Sequence, residues 1–276
     1  MGEYINKYAN SAAIQNAVDG GELIKPYVAL DESTGLIDWN TKYIDYANMP
    51  LTFEIISGGT IVWKTFSNYF GDAARTISYS LNGREPINIT STTGGTTISV
   101  EAGDTVQLWG NNSSYAKTTE IISTFSNSTI QFKAKGNIMS LVNSTNFSEL
   151  TAFSNTFVFS GLFSGCTGLI DISKLLLPAT TLTPYCYNGM FRGCTSLTTA
   201  PELPATTLAE RCYSSMFQNC TNLNYIKCLA TDISATKCTY NWLNSVASSG
   251  TFVTPSSTNW TTGRDGIPTN WTRVDA

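Results

Sequence analysis

The stretch MFRGCTSLTTAPELPATTLAERCYSSMFQNCTNL, residues 190–223, opens on Met-Phe-x-x-Cys-Thr-x-Leu and closes on the same pattern. Working outward from it gives a period. Cys166, Cys194 and Cys220 are separated by 28 and 26 residues, and Phe163, Phe191 and Phe217 keep the same steps. So do Leu169, Leu197 and Leu223. A second series, Cys186, Cys212 and Cys238, steps by 26 and 26. Pro178 and Pro204 are also 26 apart, each followed by Ala-Thr-Thr-Leu. A fixed period of this length marks an array in which each unit buries its apolar face against the next.

The cysteines admit three readings. A disulfide framework staples small secreted chains, and seven is an odd number. A zinc site wants closely spaced Cys pairs or His; the chain has no His and no Cys-x-x-Cys. Stacked repeats instead make each series a column of small apolar side chains in the core, and this is the expectation. Disulfides between neighbouring units are the competing reading.

Within a unit, LIDISKL, LTTAPEL and LNYIKCL place apolar residues first, fourth and seventh. That spacing predicts a short extended segment with a turn or bulge. CYNGMF and CYSSMF put Cys, Met and Phe at helical spacing, which predicts one helical or 3₁₀ turn per unit. A strand side and a helix side per unit is the leucine-rich-repeat plan. The last unit, ATDISATKCTYNWL, keeps its Cys but replaces Met-Phe by Trp242-Leu243. Terminal units must close the open end of the core, so this one reads as a cap, with Trp260 and Trp271 finishing it.

Upstream the texture differs. LTFEIISG, GTIVWKTF, RTISYSL, PINITS, TTISVEAGDTVQLWG and STIQFKAKG are short β-branched and aromatic runs punctuated by Gly, Asn and Asp. They predict an antiparallel, Ig-like β-sandwich over residues 49–146. Alternation faces Ile98, Val100, Val106 and Leu108 inward. Trp63 and Trp109 read as packing residues, with a carbohydrate platform as the sharper alternative. Residues 1–48 hold too little apolar surface for a core of their own. They read as a flexible leader or as an arm that orders against a partner. The fold class expected is therefore mainly β: an extended arm, a sandwich, and a short repeat solenoid with a C-terminal cap over residues 147–276.

Composition narrows the function. A net charge of −4 gives no support for binding nucleic acid or an anionic membrane. No run of about eighteen apolar residues occurs, so no membrane insertion is expected. The N-terminal segment lacks the apolar run of a secretory signal. The absence of His removes Ser-His-Asp and Cys-His catalysis. No nucleotide-binding glycine loop is present. Carboxylates alone could serve a glycosidase, but Glu101 and Asp104 sit in a turn, and Glu202 and Glu210 belong to the repeats. No catalytic residue, cofactor or metal is expected. Repeat proteins bind through aligned exposed positions. Here those are Thr198, Thr199 and Glu202 on one unit and Asn224, Tyr225 and Lys227 on the next. The plainer reading is an ordinary polar wall.

FRGCTSL followed by a Pro-containing strand resembles the BspA-like leucine-rich repeats of gut and oral Bacteroidetes. PELPATTLAERCYSSMF resembles a variant found in proteins of Bacteroides and their phages. The leader, YINKYANSAAIQNAV, KPYVAL and IDWN, is similar to N-terminal segments in virion structural proteins of crAss-like phages. The resemblance implies a non-enzymatic virion protein of head-fibre or decoration type, assembled in the host cytoplasm. It implies that residues 1–48 dock on the capsid or another virion protein and that the chain forms a homo-oligomer, a dimer or trimer. It further implies that the repeats face a host surface glycan or protein. The alternative it carries is a Bacteroidetes cell-surface adhesin.

Overall fold

Most of the β-branched and aromatic runs upstream of residue 146 form strands, because alternate residues can be buried on one face. The computed structural model describes residues 44–67, 74–125 and 130–276. The expected arm over residues 1–48 lies almost wholly outside the described residues. The molecule is mainly β. The upstream strands are β1 (Leu51–Ile55), β2 (Gly59–Phe66), β3 (Thr76–Leu81) and β4 (Ile87–Thr90). They continue with β5 (Thr96–Val100), β6 (Thr105–Trp109), β7 (Ile122–Thr124) and β8 (Phe132–Asn137). The repeats contribute β9 (Leu169–Leu176), β10 (Tyr225–Lys227), β11 (Gly250–Thr254) and β12 (Trp271–Asp275).

One sheet runs in the order β4-β3-β6-β1-β8-β9, a second in the order β5-β2-β7, and a third in the order β10-β11-β12. The first two sheets meet through aromatic side chains. Phe53 on β1 meets Phe125 edge-on at 5.2 Å, and Trp63 on β2 lies 4.5 Å from the same ring. Ile98, Val100, Val106 and Leu108 are all buried, as their alternation predicts. Trp63 is fully buried, with its indole N–H donated to the Arg75 carbonyl.

The sheet does not stop where the repeats begin. β8 pairs in parallel with β9, the first repeat strand, through a register interrupted by bulges. Residues 46–276 accordingly form one compact unit with one continuous hydrophobic core. The expected boundary near residue 146 marks a change of sequence texture that the packing runs across.

The segment opposite the strand in each repeat is not the expected helical turn. The 3₁₀ segments among the described residues, Ile138–Leu141 and Phe147–Glu149, precede the repeats. Each repeat instead makes three consecutive turns with a left-handed residue at every fourth position. These are Phe157, Gly161 and Gly165; Tyr185, Gly189 and Gly193; Arg211, Ser215 and Asn219; and Lys237, Asn241 and Ser245. A left-handed non-glycine residue costs about 1 kcal/mol, so the ladder must compensate it. Alternate N–H groups close turns onto the carbonyl three residues back, as Met190 does on Tyr187 and Cys194 on Phe191. The N–H groups between them point along the stack. Tyr187, Gly189, Phe191 and Gly193 donate to the carbonyls of Cys212, Ser214, Met216 and Gln218 on the next coil. From Tyr185 to Cys194 and from Arg211 to Cys220 every backbone N–H thereby finds a partner, which a helix would achieve without touching its neighbour.

Two residues between left-handed positions point inward, and they build columns. Phe163, Phe191 and Phe217 stack at 5.6 and 5.5 Å with planes 2° and 6° from parallel. Phe125, from the upstream half, begins that column at 5.6 Å from Phe163. A second column runs Tyr115, Phe159, Tyr187, Tyr213, Trp242 and Trp260, with neighbouring centroids between 5.3 and 6.3 Å apart. Tyr115 donates its hydroxyl to the Leu141 carbonyl, so the first ring of this column is hydrogen-bonded despite full burial.

All seven cysteines are buried, and none is in a disulfide. Cys194 and Cys220 turn their thiols to the carbonyls of Phe163 and Phe191 on the preceding coils. Cys228 belongs to neither cysteine series. Leu203 bridges to Cys228, whereas Thr199 bridges to Tyr225, so the third unit is one residue short between these points. Cys228, not the expected Leu229, therefore fills the column of Leu203. At the far end the Asp265 carboxylate accepts the Asn241 N–H at 2.6 Å, and the Gly266 carbonyl accepts the Trp242 indole N–H at 2.9 Å. Trp260 stacks on Trp242 at 5.3 Å, and Trp271 donates its indole N–H to the Ala247 carbonyl. Both tryptophans thus serve the cap, as expected.

Candidate functional site

The six residues singled out from the sequence come together on two adjacent extended segments. Thr199 bridges in parallel to Tyr225, Asn224 donates its N–H to the Thr198 carbonyl, and Leu203 donates to the Lys227 carbonyl. Tyr225 pairs onward with Thr251 and Lys227 with Val253, and these pair with Thr272 and Val274. The result is a wall of exposed and half-buried residues across four successive repeats. Its charges satisfy one another. The Glu202 carboxylate lies 2.7 Å from the Lys227 ammonium and raises that lysine's pKa. Tyr225 and Val274 leave apolar surface exposed.

Of the other carboxylates weighed for hydrolysis, Asp104 holds a turn. Asp104 accepts the Glu101 N–H at 2.8 Å and the Asn82 amide at 2.7 Å, and its pKa is lowered chiefly by that backbone bond. Both contacts tie down the turn between β5 and β6. Glu210 lies 3.9 Å from Arg211. Among the described residues no three His, Cys, Asp or Glu side chains gather as a metal site, and no helix is long and apolar enough to cross a membrane.

A second site lies on the turn side and was not singled out from the sequence. It is a groove of about 350 Å³ that crosses four coils. Its floor is the second turn of each coil, where the paired residues are Ser160-Gly161, Asn188-Gly189 and Ser214-Ser215. Tyr240 closes one end, and the Thr119–Glu120 loop with Ile122 closes the other. Gly189 has φ +58°, and a Cβ there would meet nothing nearer than 4.0 Å, so the floor is open at its centre. Arg211 comes from the first turn of its coil and Arg192 precedes the left-handed residue of a third turn, so two guanidinium groups flank the floor. The sequence signal was available as Ser-Gly, Asn-Gly and Ser-Ser recurring where Cys and Phe set the period. Small polar residues at such positions read as loop filler until the coils are stacked.

No family model, curated protein or solved structure matches the chain.

Proposed function

We propose that the chain is a non-enzymatic structural protein of a bacteriophage virion, of head-fibre or decoration type. Residues 1–48 attach it to the capsid or another virion protein. Residues 49–146, an Ig-like sandwich, carry the oligomer contact of a dimer or trimer. Residues 147–276, a leucine-rich-repeat solenoid of BspA-like type, project outward and adhere to a host surface glycan or protein.

What supports this reading is the resemblance of the leader to virion proteins, taken together with an end-capped stack of repeats. An array joined to a sheet at one end and closed by Trp242, Trp260 and Asp265 at the other holds its side walls in fixed register. Such a body presents surfaces rather than closing around a substrate. The test is deletion of residues 1–48. Particles assembled with the shortened chain should lack it, while purified 46–276 keeps its cooperative unfolding. Incorporation of the shortened chain at the normal copy number would refute the anchor.

A further inference from the structure

We infer that the turn-side groove is a binding site for a carboxylate-bearing sugar, and that recognition falls to it rather than to the strand wall. This rests on the adhesive part of the reading above and deepens it by naming ligand class and site.

The wall is a poor binder because its charges are already spent. Glu202 and Lys227 neutralise each other at 2.7 Å, and a ligand would have to break that pair. The groove has the opposite character. Arg192 is exposed, and its guanidinium has no ion-pair or hydrogen-bond partner among the described residues. Arg211 is held in place by the Tyr185 ring, 5.6 Å from its guanidinium carbon. Its Nε is buried and unsatisfied; the nearest carboxylate oxygen, of Glu210, is 3.9 Å away and too far to accept a hydrogen bond. No acceptor among the described residues takes a hydrogen bond from this guanidinium, and the side chain is 32% exposed, so a bound anion would meet it at its solvent-facing end rather than at Nε. Guanidinium groups bind carboxylates through paired, charge-assisted hydrogen bonds.

The rest of the lining selects the kind of anion. Ser160 and Ser214 are buried and donate to the Asn188 and Tyr240 carbonyls, so between the arginines the groove offers the Asn188 amide and the Ser164 and Ser215 hydroxyls, with Thr119 at one end and Tyr240 at the other. Neutral donors and acceptors at close intervals match a ligand that carries many hydroxyls. An acidic peptide carries few hydroxyls beside its carboxylates and would leave these neutral groups largely unused. Glu120, at the sandwich end, repels a second carboxylate and accepts from a hydroxyl. Four coils at about 4.8 Å per strand spacing span about 14 Å, the length of a short oligosaccharide.

Calorimetric titration of the full chain tests this. Trigalacturonate is compared with maltotriose, sialyllactose with lactose, and tetraglutamate serves as the acidic peptide. At least one acidic sugar should bind about tenfold or more tightly than its neutral counterpart and than tetraglutamate. The acidic sugar that binds tells uronic from sialic acid. Arg192→Ala and Arg211→Ala should each weaken binding about tenfold or more, the loss expected for a charge-assisted contact. Arg211→Lys, which keeps the charge and loses the fork, should lie between, and Tyr225→Ala should leave affinity unchanged. Binding of neither acidic sugar at millimolar concentration, equal binding of the neutral ones, or preference for the peptide would each overturn the inference. If binding survives both arginine substitutions and is lost on Tyr225→Ala, the groove is wrong and adhesion through the wall stands. None of these outcomes touches virion incorporation, which the arm deletion reads separately.

Discussion

The rings of Phe191 and Phe217 stack 5.5 Å apart and 6° from parallel, although 26 residues of chain separate them. That relationship is the repeat expressed as packing. The first three coils each contribute one such ring and the fourth has Leu243 in its place, and the hydrogen bonds from Phe191 to Met216 and from Phe217 to Trp242 lock neighbouring coils in register. Stability in such a stack comes from nearest neighbours, so losing one ring weakens two interfaces.

Phe217→Ala should therefore destabilise residues 46–276 by about 3–5 kcal/mol, the usual cost of removing a buried aromatic side chain. Tyr225→Ala on the wall should change stability by less than about 1 kcal/mol. Urea unfolding of the two variants makes the comparison. Equal costs would mean that the column is not the core of the stack.

The upstream half should act as the stack's first cap. Tyr115 and Phe125 begin the two aromatic columns, and β8 covers the edge of β9. A fragment spanning residues 147–276 exposes Phe159, Phe163 and that strand edge. It should aggregate or melt without a cooperative transition, whereas 46–276 melts in one step, read by calorimetry. A fragment that folds cooperatively alone would show that the two halves are independent.

The thiols should be silent in the native state. Burial pushes Cys186, Cys220 and Cys228 up to about 12 and raises Cys194 and Cys212 well above the ordinary thiol value. The reactive thiolate is thereby suppressed as well as enclosed. Ellman titration should find none reacting within minutes at neutral pH, and seven after denaturation. Rapid modification of any native thiol would contradict the packing.

Acid should loosen the turn at Asp104. Its pKa is lowered in the fold, first by the Glu101 N–H and then by the Asn82 amide, and Ser234 lowers that of Asp232 in the same way. A carboxyl depressed in the folded state contributes stability above its unfolded value, about 3.9. That contribution is lost as pH falls through the lower folded value. Melting temperature should drop below about pH 4, and Asp104→Ala should lose less between neutral and acid pH than the parent. Parallel curves for the two would remove Asp104 from the account.

Much of this architecture was legible because a constant step of 26 residues needs no knowledge of local conformation. The Phe and Cys columns followed from it, whereas the burial of Ile98 and Val106 followed from strand alternation and the cap tryptophans from the atypical last unit. The coil itself was misread. Cys, Met and Phe at helical spacing suggest a 3₁₀ turn, but a left-handed residue at every fourth position produces the same inward pairs. Glycine betrays that conformation at Gly161, Gly189 and Gly193, while Tyr185, Arg211 and Lys237 conceal it. The one-residue slip that brings Cys228 under Leu203 was hidden because LNYIKCL satisfies the expected spacing through Leu229. The six wall residues were placed together correctly by alignment. The groove was missed because its floor joins four coils to the loop at Thr119, contacts that no single window of sequence contains.

Where the chain is found decides between a virion protein and a cell-surface adhesin. Quantitative mass spectrometry of density-purified phage particles, alongside the host's outer-membrane fraction, measures that directly. Peptides from this chain should be present in the particles at many copies per portal, in fixed ratio to the major capsid protein. Their absence from particles, with recovery in the bacterial surface fraction, would contradict the virion reading and leave the cell-surface adhesin in its place.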